Sequence, residues 1–342
     1  MRHDRQLTLH IGLPKTATTT LQTHVFPMVP GYLGKFYGES PNTAVEEPFR
    51  QHRKAHEQWT EGKSALTAPA TQFIESLDRF NESQILISDE GLSRWPVDGR
   101  VNSPFHDGWH ETFRARPHPV VDFLAALREA GEGRLKVRVI LTLRNQSDFM
   151  GSLYAQWQRS MGNPSQNDFE AKVTRALSTD DPFFDYATLV EELEQDLGDG
   201  DLLILLYEDG LERNVSRIAE FLGIELVAPH SSRSRENVKR HGSQSWKGAS
   251  VEKPVTKRGP LGRIRRAAAR TWPDALRVLA GPLKRALKRL DAASESFVKP
   301  QTREGVVITM SDRLAREVRE HYADSNERLA QTLERDLKSL GY

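Results

Sequence analysis

Four short apolar runs set the frame for this chain: Leu7–Ile11, Gln84–Ser88, Val137–Leu143 and Leu202–Tyr207. The last reads Leu202-Leu203-Ile204-Leu205-Leu206, apolar at every position rather than at every second one. Such a strand must be covered on both faces, which is the situation of a parallel sheet flanked by helices. Helical patterns fall between the runs. One starts at about Thr18, another presents Phe73, Ile74, Leu77 and Phe80, and a third covers Val120–Ala130. Two more cover Gln146–Arg159 and Asn214–Leu222, the latter with Gly223 placed to cap it. Strands alternating with helices predict an α/β fold, a three-layer sandwich around a mainly parallel central sheet. A single domain over residues 1–342 is expected, with a basic helical insertion at about 251–300 and a C-terminal helix at about 310–340.

Where the first run ends, the chain reads Gly12-Leu13-Pro14-Lys15-Thr16-Ala17-Thr18-Thr19-Thr20. A strand that breaks into a tight loop and opens a helix makes an anion cradle. Its backbone N–H groups converge, and the helix N-terminus favours negative charge. Gly12 lets the chain turn close to a ligand, Lys15 adds a full charge, and the threonines add hydroxyl donors. The spacing is not that of a Walker A loop, in which lysine directly follows a second glycine. Here Lys15 stands three residues after Gly12 and no second glycine follows. The other reading is an ordinary polar strand–helix turn.

A second anion site is suggested at the end of the third run. Arg144 closes that strand, and Ser152 lies eight residues on, within the following helix. Two helical turns bring the serine back toward the strand end. An arginine fork with a hydroxyl suits a phosphate monoester.

Composition removes several classes. With no cysteine, disulfides, thiolate zinc sites and cysteine nucleophiles are excluded. No run approaches the length needed to span a bilayer. Met1 to Gln6 leads into the first strand without an apolar stretch or cleavage site, so no secretory leader is expected and the cytoplasm is the default.

The two sites together, in this chain order, resemble the PAPS-dependent sulfotransferase family, its bacterial members most closely (PAPS is 3′-phosphoadenosine 5′-phosphosulfate). His10 to Gln22 is similar to the family's 5′-phosphosulfate loop, with Ala17 where glycine is usual. Val139 to Tyr154 resembles its 3′-phosphate segment, with Gln146 where proline is common. Leu202 to Leu211 followed by Ile218 to Gly223 resembles a structural Tyr-Glu-Asp-Leu … Phe-Leu-Gly stretch, and Asn326 to Tyr342 resembles bacterial endings.

The resemblance implies a P-loop NTPase-like sulfotransferase fold and in-line transfer of a sulfuryl group from PAPS to an acceptor hydroxyl, leaving 3′-phosphoadenosine 5′-phosphate (PAP). Lys15, Thr16, Ala17, Thr18, Thr19 and Thr20 would hold the 5′ side, Arg144 and Ser152 the 3′-phosphate. No metal is required, because protein groups meet the donor's charge. Lys15 would stabilise the leaving phosphate. Glu90 is the first choice of general base, since it follows the second strand and should reach the same sheet edge. Ile87 to Leu92 resembles a Ser-x-Glu-x-Leu segment of bacterial members. Capping the next helix, or pairing with an arginine, is the other reading of Glu90. Asp89, His106 and His110 are reserves, and His10 reads as a residue that orients the loop.

Residues 253–290 hold twelve Lys or Arg against one acid, Asp274, a local charge of +11. They suit a polyanionic acceptor or an anionic membrane surface, or else form a solvated helical face. Carbohydrate or lipid head groups are the expected acceptors, and the inner membrane face is where such a segment would take the chain. Nucleic acid is not expected, because no recognised motif accompanies the charge. The competing readings are a P-loop kinase or ATPase using Mg-ATP, with Asp89 on the metal, and a non-catalytic protein that kept the fold. The loops at 27–70 and 93–117 are expected to shape the acceptor pocket.

Overall fold

A computed structural model describes residues 5–33, 64–90, 92–94, 119–158, 161, 163–228, 244–248, 251–253 and 301–342. Four parallel strands form the central sheet: β1 (Arg5–Gly12), β2 (Gln84–Ser88), β3 (Leu135–Leu143) and β4 (Leu202–Leu206). Their order is β2-β1-β3-β4. The chain therefore steps to one side of β1 and then to the other, which opens a crevice at the carboxyl edge between β1 and β3. Open α/β sheets bind ligands at that switch point.

Side chains alternate between two buried layers, as the apolar runs require. Leu7, Leu9, Ile11, Val139, Leu141 and Leu143 pack on one face. Leu86, Ile140, Leu203 and Leu205 pack on the other with Leu21, Val25, Phe26, Val215 and Ile218. Helices cover both layers, so the predicted three-layer α/β architecture is the observed one.

After β1 the chain runs through α1 (Thr18–Thr20), a π turn at Leu21–Val25 and a 3-10 turn at Phe26–Met28. The remaining long helices are α2 (Ser64–Leu77), α3 (Pro119–Ala130), α4 (Gln146–Trp157), α5 (Gln166–Ser178), α6 (Tyr186–Asp196) and α7 (Leu211–Leu222). Gly223 ends α7 in the left-handed conformation, φ 68°, as its position predicted. Helices α5 and α6 occupy a stretch in which the sequence reading placed no element.

The C-terminal helix expected at 310–340 is two helices, α8 (Asp312–His321) and α9 (Ala323–Thr332), followed by a 3-10 turn at Lys338–Leu340. The break falls at Tyr322, whose ring is buried against Phe184. Burying that ring takes precedence over continuing one helical axis.

The insertion begins and ends in strands rather than helix. β5 (Ser245–Lys247) pairs antiparallel with β8 (Val307–Thr309), and β6 (Val251–Lys253) with β7 (Gln301–Arg303). The helical reading of 254–300 lies outside the described residues. Trp246 of β5 lies on the backbone of α4 at Gly151. A Cβ there would stand 2.4 Å from two ring carbons, so only glycine permits the contact. No described helix is long and apolar enough to cross a membrane.

Candidate active site

The loop between β1 and α1 turns on two strained residues besides its glycine. Gly12, Lys15 and Ala17 have φ of 86°, 67° and 63°. Ala17 is also the N-cap of α1, and its side chain caps nothing. The first-turn N–H groups of a helix have no intrahelical acceptor. Ala17 itself supplies no side-chain cap for them. The loop is pinned at both ends: Leu13 N–H donates to Thr142 O on β3 at 2.8 Å, and Leu21 N–H to Ala17 O at 3.1 Å. Inside it, Thr16 Oγ1 donates to Leu13 O at 2.5 Å. Thr16, Thr18 and Thr20 are buried and Thr19 is exposed.

Glu90 stands directly against this loop. A Cβ on Gly12 would lie 3.1 Å from Glu90 Cβ, a tight contact that adds to the demand of its φ of 86° for glycine. The Thr18 hydroxyl donates to Glu90 Oε2 in a short hydrogen bond. Asp89 N–H donates to His10 O at 2.9 Å, which fixes the turn carrying the carboxylate. The side chain of Glu90 thus reaches the loop between β1 and α1. Asp89 itself is fully buried. His106 and His110 lie outside the described residues.

His10 is fully buried, with Nδ1 2.7 Å from Ser88 Oγ and the ring edge-on to Phe26. Burial lowers its imidazole from the ordinary 6.5 to about 3, so it is neutral at physiological pH. Gln22 Nε2 donates to the same Ser88 Oγ at 2.9 Å. These contacts join the base of the loop to β2.

Arg144 reaches across to the loop. Its Nη1 donates to Lys15 O at 3.2 Å and its Nη2 to Asp148 Oδ2 at 3.3 Å. Its guanidinium carbon sits 4.5 Å from the centroid of the Tyr207 ring. Nε is buried and meets no acceptor among the described residues. A buried cationic donor of this kind fits an anionic ligand. Ser152 is buried on the second turn of α4, and its hydroxyl makes no hydrogen bond to Arg144.

Thus Lys15, Thr18, Glu90 and Arg144 meet at one sheet edge, and Ser152 stands on the helix leading away from it. Asp148, Tyr207 and Glu208 were missed in the sequence. The four-residue step from Arg144 to Asp148 was readable as a helical ion pair, whereas Tyr207 and Glu208 belong to a stretch that reads as structural.

The Sulfotransferase domain model matches residues 8–280. A solved structure, a sulfotransferase from Alicyclobacillus acidocaldarius, is similar at 13% identity and a TM-score of 0.43, over 100% of each chain. No curated protein matches. The family model spans both arms of the site and well over half the chain, so the chain belongs to the sulfotransferase-domain family. Its class is that of the transferases that move sulfuryl groups.

Proposed function

We propose that the chain transfers a sulfuryl group from PAPS to the hydroxyl of a carbohydrate or lipid head group. The observation that carries this reading is the approach of Arg144 to the loop, Nη1 to Lys15 O at 3.2 Å. This contact brings the guanidinium beside the loop amides and so supports a reading of two adjacent anion sites. A donor with a 5′-phosphosulfate and a 3′-phosphate needs such a pair. ATP has no 3′-phosphate to use the second.

In this reading the loop amides and Lys15 hold the 5′ side, while Arg144 and Ser152 hold the 3′-phosphate. The acceptor oxygen attacks sulfur in line with the bond to the 5′-phosphate, through a loose transition state by analogy with phosphoryl transfer. As the new S–O bond forms, the bond to the phosphate oxygen breaks, and PAP leaves. Lys15 stabilises the charge that grows on that oxygen. The acceptor's proton passes to Glu90, whose carboxylate the Thr18 hydroxyl holds beside the loop. The local charge of +11 over 253–290 favours an anionic acceptor.

Calorimetry with PAP, and with ATP plus Mg²⁺, tests the donor. PAP should bind without metal, and Arg144→Ala should weaken it about thirtyfold, as loss of a charge-assisted fork implies. Binding of Mg-ATP with none of PAP would overturn the reading.

A further inference from the structure

Arg144 stands on a backbone that another residue holds. Its neighbour Asn145 donates both its backbone N–H and its side-chain Nδ2 to Glu208 Oε1, each at 2.9 Å. The Asn145 Oδ1 in turn accepts from Asp148 N–H at 2.9 Å and so caps α4. Asp148 is the carboxylate that receives Arg144 Nη2. The other oxygen of Glu208 accepts from the Tyr342 hydroxyl at 3.2 Å. Tyr342 is buried, with its ring against Tyr186.

The same short turn, Tyr207–Asp209, grips the region twice more. Tyr207 lies under the Arg144 guanidinium, and Asp209 takes a two-pronged contact from Arg335 at 2.6 and 2.7 Å. Burial pushes the Glu208 carboxyl up, against the hydrogen bonds from Asn145 and Tyr342 and the nearby Arg144 charge, which pull it down. The desolvation cost of this half-hidden acid is offset by three hydrogen bonds, and those bonds tie it to Asn145 beside Arg144 and to Tyr342.

We propose that Glu208 is a positioning residue for the donor's 3′-phosphate: through Asn145 it sets the backbone from which Arg144 reaches, and Tyr342 fixes Glu208. The inference rests on the reading of Arg144 as the 3′-phosphate ligand. A planar guanidinium fork tolerates little angular error, so moving its base by even 1 Å, an order-of-magnitude tolerance, weakens the contact. Segment 333–342 thereby takes part in donor recognition without touching the donor.

The test compares PAP with adenosine 5′-monophosphate, which lacks the 3′-phosphate, by calorimetry on the full chain. Glu208→Ala should weaken PAP by about tenfold or more and leave the monophosphate within about twofold. Glu208→Gln should stay within about threefold of the parent for PAP, since its amide oxygen still accepts from Asn145 and its N–H can donate to Tyr342. Equal losses of both nucleotides in Glu208→Ala mean a merely structural role and overturn the proposal. So does unchanged PAP binding in Glu208→Ala when Arg144→Ala loses it, which leaves the Arg144 reading standing. Unchanged PAP binding in both variants overturns both. If Glu208→Ala does not fold, as judged by circular dichroism, Tyr342→Phe decides. A PAP loss of about threefold with the monophosphate unchanged supports the proposal, and no PAP loss overturns it.

Discussion

The loop that leaves β1 and the segment that leaves β3 meet at one sheet edge but are held there by different means. The loop is a backbone device. Three of its residues have positive φ, its ends are pinned by main-chain hydrogen bonds, and its helix carries no side-chain cap. The Arg144 arm is a side-chain device. It depends on Asp148, Tyr207, Asn145 and Glu208, and beyond them on Arg335 and Tyr342 from far along the chain. A backbone cradle presents fixed dipoles to developing charge, which suits chemistry. A guanidinium held by packed side chains suits affinity and choice of ligand. The loop should therefore govern turnover and the arginine arm donor binding.

Lys15→Ala gives the largest effect on this division. Turnover should fall about a thousandfold, near 4 kcal/mol of lost transition-state stabilisation, while PAP affinity falls less than about fivefold. Steady-state kinetics and calorimetry read the two quantities separately. Equal losses would abolish the distinction between the arms.

Glu90→Gln comes next. The amide oxygen still accepts from Thr18, but the proposed base is gone, so turnover should drop about a hundredfold with PAP binding unchanged. Thr18→Val separates base from latch, because it removes the hydrogen bond and keeps the carboxylate. A loss in Thr18→Val as deep as that in Glu90→Gln would make Glu90 a latch for the loop.

The difference between the arms also decides what could be read from the sequence. The loop is local: strand, Gly12, Lys15 and the threonines are contiguous, and each constraint acts on its own residue. The sheet was legible for the same reason, since a run such as Leu202–Leu206 states its own burial. Arg144 was visible because it ends a strand, and Glu90 because it follows one. Their partners were not. Nothing in Tyr207-Glu208-Asp209 tells that the ring lies under Arg144 or that Arg335, 126 residues on, forks onto Asp209. The break at Tyr322 escaped notice because α8 and α9 share a continuous helical pattern, and only the pocket beside Phe184 interrupts it.

Arg335→Ala tests how far the arginine arm leans on the end of the chain. Asp209 has 2% of its side chain exposed, and Arg335 is its closest cation. Burial pushes the Asp209 carboxyl up, but Arg335, Arg213 and Arg217 together outweigh that and hold it below the usual range. Removing Arg335 leaves a buried acid with Arg213 3.6 Å away. Stability should fall by about 2 kcal/mol, short of the full cost of an orphaned buried charge. Thermal unfolding reads the loss. PAP affinity should weaken about threefold as the turn loosens, and unchanged affinity would confine Arg335 to stability.

Ala17→Gly probes the loop at its most anomalous residue and carries the smallest effect. An L-residue in the left-handed region costs about 1–2 kcal/mol, which glycine avoids. Glycine gives back about 0.4–1 kcal/mol through the freer unfolded chain. The net gain should be about 0.5–1 kcal/mol, a rise of about 1 °C in melting temperature for a chain of this size. Turnover should hold within about twofold, because neither alanine nor glycine has a side chain that could cap α1, so the proposed anion contact of the loop is unchanged. A lower melting temperature would mean that Ala17 is not strained where it stands. A large gain in turnover would mean that the loop of the parent chain is poised off its working geometry, and that its backbone, unlike the side chains around Arg144, is not pre-set for the reaction.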